Sequence, residues 1–264
     1  MQNPILLTTI PKAGTYFFAE ILSEIGATNR HLHVAKTHAE TLYYAPEEVN
    51  RFTPKKAKVP LTISQALYTV LPGEFVFGHI AKPMLEELFL NRFKIIYSYR
   101  DHKEAMQAEF YWFREIRRDM EEEFNKFKHL SVEEHFIKYL EIFGPTRVRL
   151  FKFLDMWRHT AGVLSIDFNK FRAERDYARD KVIEISKHIG MEVDSAKAEE
   201  ILDTCFNKDT KTKVKRDKSI NLWTPEAEKI YEKLQEKQKF YDFAYPVYWK
   251  IRDKLKGFQE AGSR

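Results

Sequence analysis

The stretch ILLTTIPKAGTYFFAEIL, residues 5–22, decides how the rest of the chain is read. Pro4 to Ile10 is short, apolar and β-branched, and it is bounded by Pro11 and Gly14, which predicts a buried strand. Residues 15 to 25 predict the helix that follows. Between them stands Pro-Lys-Ala-Gly-Thr. A helix N-terminus offers unpaired N–H groups and the positive end of a dipole, so it attracts anions. A glycine lets the backbone come close, and a lysine adds a full charge. The loop is not of the G-x-x-x-x-G-K-[ST] type, because Lys12 precedes Gly14, and it is not G-x-G-x-x-G. On these residues alone, an ordinary tight turn with a surface lysine stays open.

Working outward, EFVFGH (74–79), FKIIYSY (93–99) and VLSIDF (163–168) predict three further strands. Helices are predicted at 82–89, 102–127, 132–143, 146–160, 176–189 and 194–204. A last one, from Pro225 to about residue 240, has Thr224 as its N-cap. Residues 27–60 are rich in His and Pro and receive no assignment. Strands separated by helices imply a parallel sheet covered on both faces. The expected fold is α/β: a single domain over residues 1–264, with a central parallel sheet flanked by helices.

The chain has 264 residues, 44% hydrophobic and 31% charged, with a net charge of +5. That balance suits a globular protein with anionic partners in general. The single cysteine, Cys205, excludes an internal disulfide and a Cys-based zinc cluster. No H-x-x-x-H or comparable spacing calls for a metal. The N-terminus lacks a signal-peptide pattern and no stretch approaches a membrane span. A cytoplasmic protein is expected, as a monomer or homodimer, with no membrane or nucleic-acid partner.

PKAGTYFF resembles the 5′-phosphosulfate loop of the PAPS-dependent sulfotransferases, P-K-[SA]-G-T-[TS]-[WF], where PAPS is 3′-phosphoadenosine 5′-phosphosulfate. KIIYSYRDHKEAMQAEFYWF resembles that family's second signature, a strand, then Arg-Asp, then a helix, and 88 residues separate Lys12 from Arg100. VFGHI resembles the segment carrying the catalytic histidine. VLSIDFNKF is similar to the Y-E-D-L strand, ILDTCFNK to the [CS]-[ST]-F stretch, and VKRDKSINLWTPEAEKIYEKL to the C-terminal signature. The likeness runs from residue 5 to about 235, with six motifs in the family's order.

The resemblance implies roles residue by residue. Lys12 would neutralise charge on the departing 5′-phosphate. The loop Ala13–Gly14–Thr15–Tyr16 would surround that phosphate, with the Thr15 hydroxyl as a further donor. Phe17 would face adenine where the family often has tryptophan. His79 would be the general base, since an imidazole, with an ordinary pKa of about 6.5, suits an acceptor hydroxyl near neutral pH. A second candidate, His38 of KTH, lies 26 residues after Lys12 against 67 for His79, and the family interval favours His79. Arg100 would grip the 3′-phosphate bidentately. The family's partner serine, eight residues on, is Ala108 here. Phe168 and Phe206 would flank adenine, or simply pack in the core. Lys215 and Arg216, in the basic stretch 208–218, would approach the 3′-phosphate, although that stretch reads equally well as a solvated charge run.

The function implied is transfer of a sulfuryl group from PAPS to a hydroxyl or amine of a small organic acceptor, without metal. The acceptor site would be built from residues 27–72 and from Tyr111, Trp112 and Phe113 in the helical elaboration of about 102–160. Three alternatives stand beside it: a nucleotide phosphotransferase, disfavoured because no Lys-Ser/Thr pair follows a glycine; an RNA-associated protein using the basic stretch; and a sulfotransferase fold kept for binding alone.

Overall fold

The computed structural model describes residues 3–34, 41–43, 59–61, 63–85, 87–115, 122–208 and 219–239. The chain divides into two compact units: Met1–Trp112 with Leu150–Lys215, and Phe113–Arg149 with Arg216–Arg264.

The first unit is built on seven strands, with β1 Ile5–Thr9, β2 Thr28–Val34, β3 Thr41–Tyr43, β4 Val59–Leu61, β5 Glu74–Gly78, β6 Lys94–Tyr99 and β7 Val163–Asp167. Their order is β4-β3-β2-β5-β1-β6-β7. The five strands from β2 to β7 are parallel, and β3 and β4 extend the β2 edge antiparallel. β1 is central: Leu6 stands beside Val76 on one side and Ile95 on the other. All five residues of β1 are buried, as a strand covered on both faces requires.

Helices α1 Thr15–Ile25, α2 Ile63–Tyr68, α3 Glu87–Arg92, α4 His102–Glu115, α5 Glu122–Asn125, α6 Val132–Asp155, α7 Phe168–Ala173, α8 Arg175–His188 and α9 Ser195–Asn207 follow, with a last one over 225–239. One core joins Ile5, Leu7 and Ile96 of the sheet to Phe17, Phe18, Ile21 and Leu22 of α1, and to α7, α8 and α9 through Phe171, Val182, Ile185, Ile201 and Leu202. At the end of β6, the Tyr97 hydroxyl donates to Asp155 (2.7 Å) and His102 bonds the other carboxylate oxygen (2.7 Å), which fixes the end of α6.

The second unit is helical, and its described core is aromatic. Phe124, Phe136 and Tyr139 are fully buried, and Trp223 meets Phe136 and Tyr231 edge-on. Thr224 caps the last helix by accepting the Ala227 N–H at 3.3 Å.

The four strands expected from sequence are β1, β5, β6 and β7, adjacent in the sheet. The differences have physical causes. Residues 27–60, left without assignment, hold β2 and β3, while β4 begins at Val59. The predicted helix 82–89 is a 3-10 turn, Lys82–Met84, followed by α3, because the backbone is extended at Leu85 (φ −101°, ψ 126°); Pro83 sits in the first turn, where its missing N–H costs nothing. Residues 132–143 and 146–160 are not two helices: α6 runs through Pro145 to Asp155. Gly144 serves packing rather than a break, since a Cβ there would stand 2.5 Å from Leu234 Cδ1.

Candidate active site

The loop between β1 and α1 is shaped by its backbone. Lys12 (φ 67°) and Gly14 (φ 80°) are both left-handed, a conformation that lysine adopts only when its surroundings impose it. β6 supplies the constraint. Ser98 Oγ donates to the Ala13 carbonyl (2.7 Å) and Arg100 Nη1 to the Lys12 carbonyl (3.3 Å). Two acceptors of the loop are thereby engaged on the β6 side, which favours an anion at the loop. Gly14 is the N-cap of α1 and offers no side chain to the first turn, so that helix end keeps its positive character. Gly14 is also the residue that fits: a Cβ there would lie 2.4 Å from the Phe168 ring. Lys12 Nζ stands 4.2 Å above the centre of the Trp112 ring.

His79 follows β5, the strand next to β1. Its Nδ1 lies 2.8 Å from the Thr9 carbonyl oxygen. A carbonyl accepts only, so Nδ1 carries the proton and Nε2 is the basic nitrogen. The Thr9 hydroxyl lies 3.3 Å from the same Nδ1 and 2.5 Å from the Thr15 hydroxyl. Thr9 and Thr15 are both buried. A buried polar chain therefore runs from the loop through Thr9 to His79, a polar link that β1 carries at the end of an otherwise apolar run.

The other end of the site is built differently. Arg100 Nε and Nη2 both donate to Glu104 Oε2, at 3.1 and 2.9 Å, and Asn169 Nδ2 donates to the same oxygen at 2.7 Å. Asp101 caps α4 by accepting the Glu104 N–H at 3.0 Å, and it is Glu104 that pairs with Arg100. The guanidinium carbon of Arg100 lies 5.8 Å from the Phe168 ring centre. Asp167 caps α7 by accepting the N–H groups of Asn169 and Lys170, which starts the helix at Phe168 and ends the predicted strand one residue early. Phe17 is 4% exposed and meets Phe206 edge-on, with ring centres 5.3 Å apart. Ala108, where the family pattern has serine, is buried.

The structure thus brings Lys12, Ala13, Gly14, Thr15, Tyr16, Phe17, His79, Arg100, Phe168 and Phe206 around one end of the first unit. Lys215, Arg216 and the second histidine, His38, lie outside the described residues. Sequence reading missed Thr9, Glu104 and His33. The His33 ring stacks on Tyr16 (5.8 Å) and meets the edge of His79 (5.5 Å). It arrives there through an irregularity in β2: Asn29 pairs with Phe75 and His33 with Phe77, so β2 spends four residues where β5 spends two. His31 inside it is left-handed (φ 55°), and its N–H is held by Asn29 Oδ1 at 2.8 Å. The spacing N-x-H of an Asx-turn was the available signal. Among the described residues no group of three or more His, Cys, Asp or Glu is placed to hold a metal ion. No helix among them is long and apolar enough to cross a membrane.

The family model described as the sulfotransferase domain matches residues 2–243. The chain belongs to the sulfotransferase family. Among solved structures, mouse sulfotransferase SULT7A1 complexed with PAP is similar in fold, with TM-score 0.56 and 14% identity, covering 96% of this chain and 90% of that one. Retinol dehydratase in complex with androsterone and the inactive cofactor PAP has TM-score 0.53 and 14% identity, covering 76% of this chain and 64% of that one. The retinol dehydratase complex with retinol and PAP gives TM-score 0.51 at 15% identity, over 76% of this chain and 63% of the other. No curated protein matches by sequence. The parallel sheet flanked by helices is the sulfotransferase fold, and in this sulfotransferase the loop joining β1 to α1 stands at its centre.

Proposed function

We propose that the chain, acting as one sulfotransferase domain, transfers a sulfuryl group from PAPS to a hydroxyl or amine of a small organic acceptor. The observation that carries the reading is the 2.8 Å contact between His79 Nδ1 and the Thr9 carbonyl oxygen. With Nδ1–H spent on the Thr9 carbonyl, the basic Nε2 belongs to a ring anchored one strand from the anion loop. His79 accepts the acceptor's proton as the acceptor oxygen or nitrogen bonds to sulfur. Lys12 and the loop N–H groups neutralise the charge that gathers on the phosphate oxygen as the old S–O bond breaks, leaving adenosine 3′,5′-bisphosphate (PAP). Such transfer asks mainly for positioning and charge stabilisation, both of which a preset loop supplies. Phe168, Phe17 and Phe206 form the adenine side, and Arg100 the 3′-phosphate side. The solved neighbours contain PAP and, in two cases, androsterone or retinol, which agrees with an apolar alcohol as one acceptor class.

The test uses the purified protein with radiolabelled PAPS and a panel of phenols, alcohols and amines. Label transfer to one class, with calorimetric binding of PAP, is the expected result. No binding of PAP at millimolar concentration would end the proposal.

A further inference from the structure

Arg172 lies on α7, one helical turn after Phe168. Its guanidinium carbon is 4.6 Å from the ring centre of Phe206 and 5.4 Å from that of Phe17. The arginines of the next helix differ. Arg175, 5.8 Å from the same Phe206 ring, is held by Glu199 and Asp203, and Arg179 by Asp176 and Asp180. Arg172 makes no ion pair among the described residues, and its contacts there are the two aromatic faces.

That pattern is informative. A guanidinium is planar, stacks on flat π-systems and directs its N–H donors outward in its own plane. Phe17 is buried and packs edge-to-face with Phe206, at an interplanar angle of 63°. Arg172, itself exposed, lies over both rings. The side of the guanidinium turned away from the rings is a flat cationic platform, and adenine suits it because it presents a π-face to the cation and ring nitrogens to the N–H donors. We infer that Arg172 is a nucleobase-binding residue of the donor site, stacking on adenine with the Phe206 ring behind it. The inference rests on the donor assignment above and adds a residue to which the sequence motifs attach no role.

The experiment measures PAP binding by calorimetry, and its competition by ribose 5-phosphate, which carries the phosphate but no base. Arg172→Ala is expected to weaken PAP about 5- to 30-fold, the range of a partly desolvated cation–π contact. Ribose 5-phosphate should compete with PAP at an unchanged dissociation constant. Arg172→Lys, which keeps the charge but not the plane, should recover less than half of the logarithmic loss. It also guards against a folding artefact, since both variants should melt within about 2 °C of wild type, as surface substitutions do. Unchanged PAP affinity in Arg172→Ala, equal losses for both probes, or full rescue by lysine would each overturn this inference alone. A wild-type protein that binds no PAP would overturn the donor assignment and the inference together.

Discussion

Two histidines, one in each unit, show how surroundings set the state of one side chain. His79 is half-buried beside the loop that joins β1 to α1 and spends Nδ1–H on a backbone carbonyl, so its basic nitrogen is Nε2. His135 is fully buried, and its tautomer is the reverse. Arg114, a donor only, bonds Nδ1 at 2.7 Å, and Nε2–H donates to the Phe124 carbonyl at 3.1 Å. Its ring stacks on Phe124 with centres 4.1 Å apart. Burial, with Arg114 adding to it, pushes its pKa down to about 4. One imidazole is poised and the other locked, and the difference lies in burial and in which nitrogen the neighbours take.

The contrast is broken most sharply by His79→Ala. Loss of a general base should lower turnover by about 10²- to 10⁴-fold, with PAP affinity changed less than about threefold, because the loop and not the imidazole holds the phosphate. Turnover within a factor of two of wild type would remove His79 from the mechanism. Next comes acid. The folded His135 resists protonation down to about 4, while an unfolded imidazole protonates near 6.5, so its share of stability is complete above about 6.5 and is lost as pH falls toward 4. Urea melts of wild type and His135→Gln at pH 7.5 and 5 should show the wild type losing more; parallel losses would assign the acid sensitivity elsewhere.

Gly14→Ala addresses the loop on which His79 depends. A left-handed alanine costs about 1–2 kcal/mol, and its Cβ would drive the Phe168 ring aside. PAP affinity should fall about tenfold or more, and unchanged binding would mean that the loop is not the phosphate site. Thr9→Val sharpens the picture. It removes the hydroxyl between Thr15 and His79 at nearly constant volume, and a tenfold fall in turnover, about 1.4 kcal/mol, is expected from the loosened ring and the orphaned Thr15 hydroxyl. The smallest effect belongs to Glu104→Gln. If Arg100 serves an incoming phosphate, removing the competing carboxylate should tighten PAP by up to about fivefold, most visibly at low salt, as an exposed ion pair allows. Weaker binding would show that Glu104 orients Arg100 instead.

Much of this was legible in the chain because the parts obey local rules. β1, β5 and β6 are near-continuous apolar runs, as strands covered on both faces must be, the edge strand β7 buries Leu164 and Ile166 in alternation, and the PKAGT turn falls at the strand-to-helix junction where the sequence put it. β2 was not legible: Thr-Asn-Arg-His-Leu-His-Val neither alternates nor runs apolar, since its bulge breaks the period of two. The unity of α6 was hidden by Gly144-Pro145, a pair that normally ends a helix but here permits the approach of Leu234. Pairings such as Arg100 with Glu104, or Thr9 with Thr15, depend on rotamers and on neighbouring chain turns. Spacing alone names the residues without saying which of them will meet.

The bulge of β2 carries a consequence of its own. It inserts two residues relative to β5, an even number, so His33 keeps the face that a regular strand would have given it but stands opposite Phe77, two positions short of the register with His79. Shortening that segment by one residue would turn the wall beside the imidazole inside out, whereas adding or removing a pair would slide it. In this chain, segment length at residues 29–33 is therefore a ready-made adjustment for the wall beside the His79 ring, separable from the loop that joins β1 to α1.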